Sequence, residues 1–478
     1  MTAPAPPPGC PAHAAPPAPV VGSTGLTPLY GEAFAADPAS TYALLRGWGH
    51  AAPVEIAPGV EAVLVTSYHA ALAVLRTPAV FVKDSRRWQA LTQGRVPPDS
   101  PVLPMMAWRP SCLFADGVEH ARLRTAITDS LSRIDAHALR TYADRAADAL
   151  IDRFAPAGRA DLVADYAALL PLLVFARLFG APESMVHRMV YGAAGMIDAS
   201  GPHAEQASAD LLRVLAELVA LKRAAPGPDL TSWLLTHPAS LTDQEMLHQL
   251  VVVIGAGTVP QTAWTANSLL LLLTDDRFGG SLAQGSRSVH DALEEVLWEQ
   301  SPMSNFSVHY AVRDVDLDGT PIPAGVPILI SHHAANTSPL LAEHDTFGNH
   351  AHLAWSAGPH RCPAQAPSTT IAVSAIDRLL DRLPDLALAI PAQQITWRPG
   401  PFHRCPDQLP VTFPAEPTPA PGGTPWTSPA ARSSSTPPAP ASTPRPPASA
   451  PRTRRSASSS PARWWPGRSP ATTSSSGS

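Results

Sequence analysis

The segment Trp355-Ser356-Ala357-Gly358-Pro359-His360-Arg361-Cys362-Pro363-Ala364 places one cysteine at the end of a small-residue loop, directly before a helix. Ala372, Ile376, Leu379, Leu380 and Leu383 follow at three- and four-residue spacing, the period of a helix with one apolar face. Pro363 is expected at the first helical position, where its missing N–H is no loss. A cysteine there lies among unpaired backbone N–H groups at the positive end of the helix dipole, and both effects favour thiolate over thiol. Thiolate is the form that binds a metal. Most lone cysteines are simply small buried hydrophobes, so the remaining motifs decide between the two readings.

The chain is long enough to bury a large core, and 45% hydrophobic with 15% charged residues describes a soluble globular protein. Cys10, Cys112, Cys362 and Cys405 are far apart and form no C-x-x-C pair, which excludes a disulfide framework and a zinc ribbon. The N-terminal residues contain no apolar run suited to a signal peptide or anchor. The most apolar runs, 250–254 and 269–273, are interrupted well short of a membrane span. A cytoplasmic location is therefore expected. No phosphate-cradling glycine loop and no nucleophile elbow is present.

Three parts are expected. Residues 1–25 are rich in Pro and Ala and read as disordered, and residues 26–415 carry all the periodic structure. Residues 416–478 collapse to Pro, Ala, Ser, Thr and Arg. After Glu416 there are seven arginines and no acid, so this tail carries +7 of a chain whose net charge is −5. Such a tail cannot bury enough to fold, and it reads as a solvated extension, with no nucleic-acid contact expected.

The cysteine segment resembles the ligand loop of cytochromes P450, in which an aromatic residue, a glycine, a histidine and the cysteine recur in this order. Trp355, Gly358, His360 and Cys362 match, although the family more often has Phe followed by Gly where Trp355 and Ser356 stand. The resemblance implies that Cys362 is the axial thiolate of haem b (iron protoporphyrin IX), where its electron donation assists O–O cleavage. It covers nearly all of residues 26–415. Strand-like runs at 53–56 and 61–66, separated by Pro58-Gly59, precede long helical patterns, and short strands return near the end. The implied architecture is mainly α with a small β region, a single large haem-containing domain of the soluble actinobacterial type.

Other segments fit the same family. His120 and Arg124 lie four apart on one helix face and resemble donors to a haem propionate, as does His360. His309, in His309-Tyr310-Ala311, stands where the family has an arginine and is a weaker, pH-sensitive donor. Thr242-Asp243-Gln244-Glu245 is a capping box that opens a long helix through Ala256-Gly257-Thr258-Val259-Pro260-Gln261-Thr262. This helix resembles the one that crosses above the haem. Val259 and Pro260 replace the family's acid–threonine pair, and Pro260 is expected to kink or loosen the helix. Gly257, Thr258, Gln261 and Thr262 are the candidate residues for the oxygen and substrate cavity, with Gln261 or Thr262, or else a substrate hydroxyl, ordering a water.

Glu294-Glu295-Val296-Leu297-Trp298 carries Glu-x-x-Trp where the family has Glu-x-x-Arg. Glu295 is therefore protonated, paired with a cationic His350, or turned to water. Six histidines between His332 and His360 lack the helical pairing of a zinc protease and read mostly as satisfied or solvated. The resemblance implies a monooxygenase that inserts one atom of O2 into an organic small molecule of secondary-metabolite type. Electrons would come from NAD(P)H through a separate ferredoxin and ferredoxin reductase, because no flavin or iron–sulfur segment is present. The departures at Val259, Pro260, Trp298 and His309 motivate an alternative, a haem-binding regulatory or partner protein with weak or peroxide-driven catalysis.

Overall fold

A computed structural model describes residues 21–198, 202–275, 288–341 and 348–416. Residues 1–20, His344, and the tail expected from Glu416 onward, Glu416 itself excepted, lie outside the described residues. The helices that position the site are α1 (Tyr68–Arg76), α2 (Gly117–Ser132), α3 (Ala136–Phe154), α4 (Leu169–Leu178), α5 (Asp243–Thr274), α6 (Val289–Glu299) and α7 (Gln365–Arg382). The main sheet is built from β1 (Thr27–Pro28), β2 (Ala51–Ala57), β3 (Val60–Val65), β4 (Phe81–Val82), β5 (Asn305–Ala311) and β6 (Pro327–Ser331), in the order β1-β2-β3-β6-β5-β4. The mainly helical architecture with a small sheet is the one expected. No helix among the described residues is long and apolar enough to cross a membrane.

The runs expected at 53–56 and 61–66 are the hairpin β2–β3, which pairs antiparallel across the Pro58-Gly59 turn. β2 is buried along its whole length, so its sequence reads as a near-continuous apolar run instead of an alternation. Glu55 is the exception. Its fully buried carboxylate accepts from Ser23 Oγ, the Thr24 N–H (2.9 Å) and Oγ1 (2.8 Å), Tyr30 Oη (2.9 Å) and the Gly59 N–H (2.9 Å). A buried acid must be satisfied in this way. The contacts hold Ser23 and Thr24, which composition had grouped with the disordered N-terminus, against the domain.

The helical core forms where α3, α5, α6 and α7 meet, around Leu150, Ile151, Trp264, Leu269, Leu297 and Ile376. The apolar stripe of α7 faces it as its periodicity requires: Ala372, Ile376, Leu379 and Leu383 are buried. The opposite side of α7 is laced to α3 by ion pairs. Arg378 meets Asp148 at 2.7 Å and Arg140 meets Asp377 at 2.9 Å. Arg382 joins Asp152 (2.9 Å) and Glu416 (2.6 Å), the last described residue.

α5 begins with the expected reciprocal capping box: Thr242 Oγ1 accepts from the Glu245 N–H at 3.2 Å, and Glu245 Oε2 from the Thr242 N–H at 2.8 Å. The helix runs unbroken through Pro260, so the proline does not end it. What it removes is a single donor, the one that would reach the Ala256 carbonyl. Buried Gln249 ties α5 to its neighbours, donating to the Leu123 carbonyl (2.9 Å) and accepting from the Cys112 N–H (3.1 Å). That link fixes α2, and the residues α2 carries, against α5.

Candidate active site

The cysteine loop is a tightly closed turn. The Cys362 N–H donates to the Trp355 carbonyl at 2.9 Å, and a single 3-10 turn spans Gly358–His360. α7 starts only at Gln365 with Ala364 as its N-cap, so Pro363 lies before the cap and not at the first helical position. The loop keeps Cys362 just outside the helix, where its sulfur accepts from the Ala364 N–H at 3.4 Å. Burial pushes the Cys362 thiol up, against the lowering effect of that N–H and of Arg124 and Arg361. The helix-end effect read from the sequence is thus present but outweighed in the free protein. A cation at the sulfur would reverse the balance, since a metal deprotonates the thiol that binds it.

Two residues carry the backbone strain of the loop. Gly358 has φ +69°, and a Cβ there would stand 1.9 Å from the Leu75 carbonyl oxygen at the end of α1, so only glycine fits. Ser356 adopts φ 60° and ψ −171°, a conformation that otherwise belongs almost entirely to glycine.

The structure brings His120, Arg124 and His360 together as expected. The His120 and His360 rings lie 3.8 Å apart at 34°, and Arg124 donates to the Arg361 carbonyl. His309 enters from β5, where a register shift between Phe306 and His309, with Ser307 at φ 52°, turns its ring to the Ser307 carbonyl. Lys83 joins them; its segment Phe81-Val82-Lys83-Asp84 resembles the family, but the sequence alone gives the lysine no role. β4 and β5 pair Phe81 with Ala311 and Val82 with Tyr310, so the next residue, Lys83, lies across from His309. Lys83 is only 5% exposed.

These groups are basic, close and largely withdrawn from water, and Lys83 disfavours charge on His120, His309 and His360. His120 is lowered to about 4 and Lys83 to about 7, by burial first, and His309 and His360 fall well below the usual imidazole range for the same reason. Asp116, the N-cap of α2, stands 4.0 Å from His360 Nε2. Its oxygens already accept from the Lys83 N–H (2.9 Å) and the Asp84 N–H (3.1 Å). His120 Nε2 is buried with no hydrogen-bond partner. A concentration of hydrogen-bond donors around Lys83 and Arg124, with an orphaned ring nitrogen, is suited to a ligand carrying carboxylates. The sulfur and this cluster together fit a haem with its two propionates.

In the middle of α5 the residues that are not buried are Val252, Gly255, Ala256, Gly257, Val259 and Pro260, all but Gly257 on one face and Ala256 exposed. Of the candidate cavity residues, Thr258, Gln261 and Thr262 are buried and Gly257 is half-buried. Gly257 meets Phe175 of α4 so closely that a Cβ would stand 2.1 Å from the ring. Thr258 Oγ1 donates back to the Ile254 carbonyl at 2.7 Å, and Thr262 Oγ1 to the Ala167 carbonyl at 3.2 Å. Gln261 is 4% exposed, and its Nε2 has no partner. Trp264 of the same helix meets Trp355 edge-on at 5.3 Å and 83°, which sets α5 against the cysteine loop.

The 350–352 loop meets Glu294, the residue before the motif's Glu295, so His350 pairs with Glu294 where Glu295 was expected. His350 Nδ1 lies 2.9 Å and His352 Nε2 3.2 Å from Glu294 Oε2. His352 Nδ1 accepts from the Ala354 N–H at 3.3 Å, which leaves Nε2 as the protonated nitrogen that donates to Glu294. The bond needs no charge on the imidazole. Burial raises Glu294, but the two histidine hydrogen bonds outweigh it and hold the carboxyl below its usual value. Trp298 takes the arginine's place by donating to the Asn349 carbonyl at 2.7 Å, edge-on to His352. His332 is satisfied by the Met303 carbonyl (2.8 Å), and among the described residues no group of three or more His, Cys, Asp or Glu could hold a metal ion. Beside the loop an open depression of about 520 Å³ is lined by Arg140, His290, His350, Trp355, Arg361 and Gln365.

No family model matches the chain. It is 31% identical over 398 residues, 80% of this chain and 92% of the relative, to the cytochrome P450 monooxygenase PikC of Streptomyces venezuelae. It is 31% identical over 376 residues, 74% of this chain and 90% of the relative, to the mycinamicin IV hydroxylase/epoxidase of Micromonospora griseorubida. Among solved structures, CYP154C4 from Streptomyces sp. W2061 superposes with a TM-score of 0.71 at 28% identity, covering 80% of this chain and 96% of that one.

Proposed function

Because the chain belongs to the cytochrome P450 family and is, like its relatives, a monooxygenase, we propose that Cys362 holds haem b and that the substrate is an organic small molecule of secondary metabolism. The observation that carries this reading is the pairing of one half-buried loop sulfur with a basic cluster whose acid, Asp116, is occupied by backbone N–H groups and whose His120 Nε2 has no partner. His120, Arg124, His309 and His360 hold the propionates, and Gly358 and Trp355 shape the loop that carries the sulfur. When bound, the haem supplies reductive activation of dioxygen and transfer of one oxygen atom to the substrate.

The chain's own part is to place, enclose and exclude. Ala256, Val259 and Pro260 form the face of α5 that borders the reaction space. Gly257 against Phe175 and Thr262 on the Ala167 carbonyl set α5 from behind, while Thr258 bonds within its own helix and Gln261 is buried beside them. Protons then travel through water or a substrate hydroxyl, since no acid or alcohol side chain stands on the open face. Electrons come from a ferredoxin and an NAD(P)H-dependent ferredoxin reductase in the cytoplasm. The depression lined by Arg140, Arg361, His290 and His350 supports an acidic donor docking beside Trp355.

A difference spectrum of the reduced protein with carbon monoxide tests the ligand. A red-shifted thiolate-type band is expected, and protein that takes up no haem, or gives a band typical of imidazole ligation, would refute it. A substrate-induced spin-shift screen then addresses the substrate class. The bare α5 face also favours a second reading, peroxide-driven oxidation on the same scaffold. Substrate turnover with peroxide but none with a surrogate ferredoxin system would select it, and stable haem binding with neither would select a regulatory role.

A further inference from the structure

We infer that Lys83 is a cofactor-binding residue, the buried ammonium that neutralises one haem propionate. The inference rests on the haem reading above and adds a residue to which the sequence alone gives no role. The β4–β5 register places Lys83 across from His309, and its backbone N–H is held by Asp116 at 2.9 Å. His120, His309, His332, His360 and Arg124 face the same cluster, and Asp116 is the acid among them. Asp116 is occupied with the Lys83 and Asp84 N–H groups and is itself raised by burial, so its attraction for the ammonium offsets the burial of Lys83 only in part.

The histidines of the cluster are all held toward the neutral form by burial. They can offer hydrogen bonds but little charge. Arg124 spends one guanidinium N–H on the Arg361 carbonyl, on the sulfur's side of the cluster. Lys83 is therefore the group whose chemistry most requires an anion. Its ammonium is itself lowered to about 7 by burial, and a carboxylate beside it would restore the charge. An ammonium buried without a partner is strongly unfavourable, and a propionate is the anion this fold supplies there.

The test compares ordinary haem with haem dimethyl ester, whose propionates are uncharged, in the full-length chain. Transfer of each to excess apomyoglobin gives a loss rate. Wild type should lose the ester at least about tenfold faster than haem, the scale of one charge-assisted hydrogen bond. In Lys83→Met this ratio should fall by about tenfold, while Lys83→Arg retains most of it. A ratio in Lys83→Met within twofold of wild type would show that Lys83 serves only Asp116 and would overturn the inference. If Lys83→Met does not fold, equal loss of haem and ester from wild type would overturn it too. Absence of a thiolate-type carbonyl band in every form would remove the haem premise, and the inference with it.

Discussion

Removing His352 should cost far more than removing His350, although both rings contact the same oxygen of Glu294. The His352 side chain is 1% exposed and that of Glu294 18%, whereas the His350 side chain is 63% exposed. Stranding a fully buried partner costs about 3–5 kcal/mol. Glu294 keeps some water and one histidine, so His352→Ala should lower the unfolding free energy of the holoenzyme by roughly 2–3 kcal/mol. His350→Ala removes only a surface pair and should cost at most about 1 kcal/mol. Urea unfolding followed by far-UV circular dichroism measures both. Glu294 titrates below its ordinary value of 4.5 in the folded protein, so the stability it confers is complete above pH 4.5 and fades as pH falls through the lower folded value. The gap between wild type and His352→Ala should therefore be full at neutral pH and shrink in acid. Equal losses from the two variants, or a gap that widens in acid, would refute the assignment of Glu294 as the acid and His352 as its main donor.

Ser356→Gly should raise the unfolding free energy by about 1 kcal/mol. It relieves a glycine-type conformation worth about 1–3 kcal/mol, less the added freedom of the unfolded chain. Gly358→Ala should abolish the thiolate-type carbonyl spectrum, because the new Cβ collides with the Leu75 carbonyl. Pro260→Ala should stabilise the protein by about 1–3 kcal/mol, read from its unfolding midpoint, since a helix-interior proline is about 3 kcal/mol less favourable than alanine. Thr258→Val should leave the fraction of electrons lost to peroxide unchanged, since its hydroxyl is bonded into its own helix; a large rise would place that hydroxyl in the proton path.

What the sequence revealed was local chemistry. The capping box at Thr242, the β2–β3 hairpin and the apolar stripe of α7 each depend on residues a few positions apart, so spacing alone located them, whereas the His120–Arg124 pair needed the family resemblance as well. Lys83 escaped because its role follows from a strand register that joins distant parts of the chain. Glu294 escaped because neighbours on a helix point about 100° apart, and the motif draws attention to Glu295 while the 350–352 loop reaches the residue before it. The same angular reasoning explains α5. Ala256, Val259 and Pro260 share a face that excludes Thr258 and Gln261, so an alcohol-rich motif need not offer its hydroxyls to the reaction space. Pro363 was misplaced for a simpler reason, since the turn runs two residues further before the helical ladder begins.

The clasp of Arg382 on Asp152 and Glu416 marks a practical cutting point. A stop codon or a fused electron-transfer protein placed just after Glu416 leaves the clasp closed, whereas one placed a residue earlier removes its C-terminal carboxylate and leaves Arg382 to the aspartates of α3 alone. Anyone joining this catalyst to a reductase should count from that carboxylate.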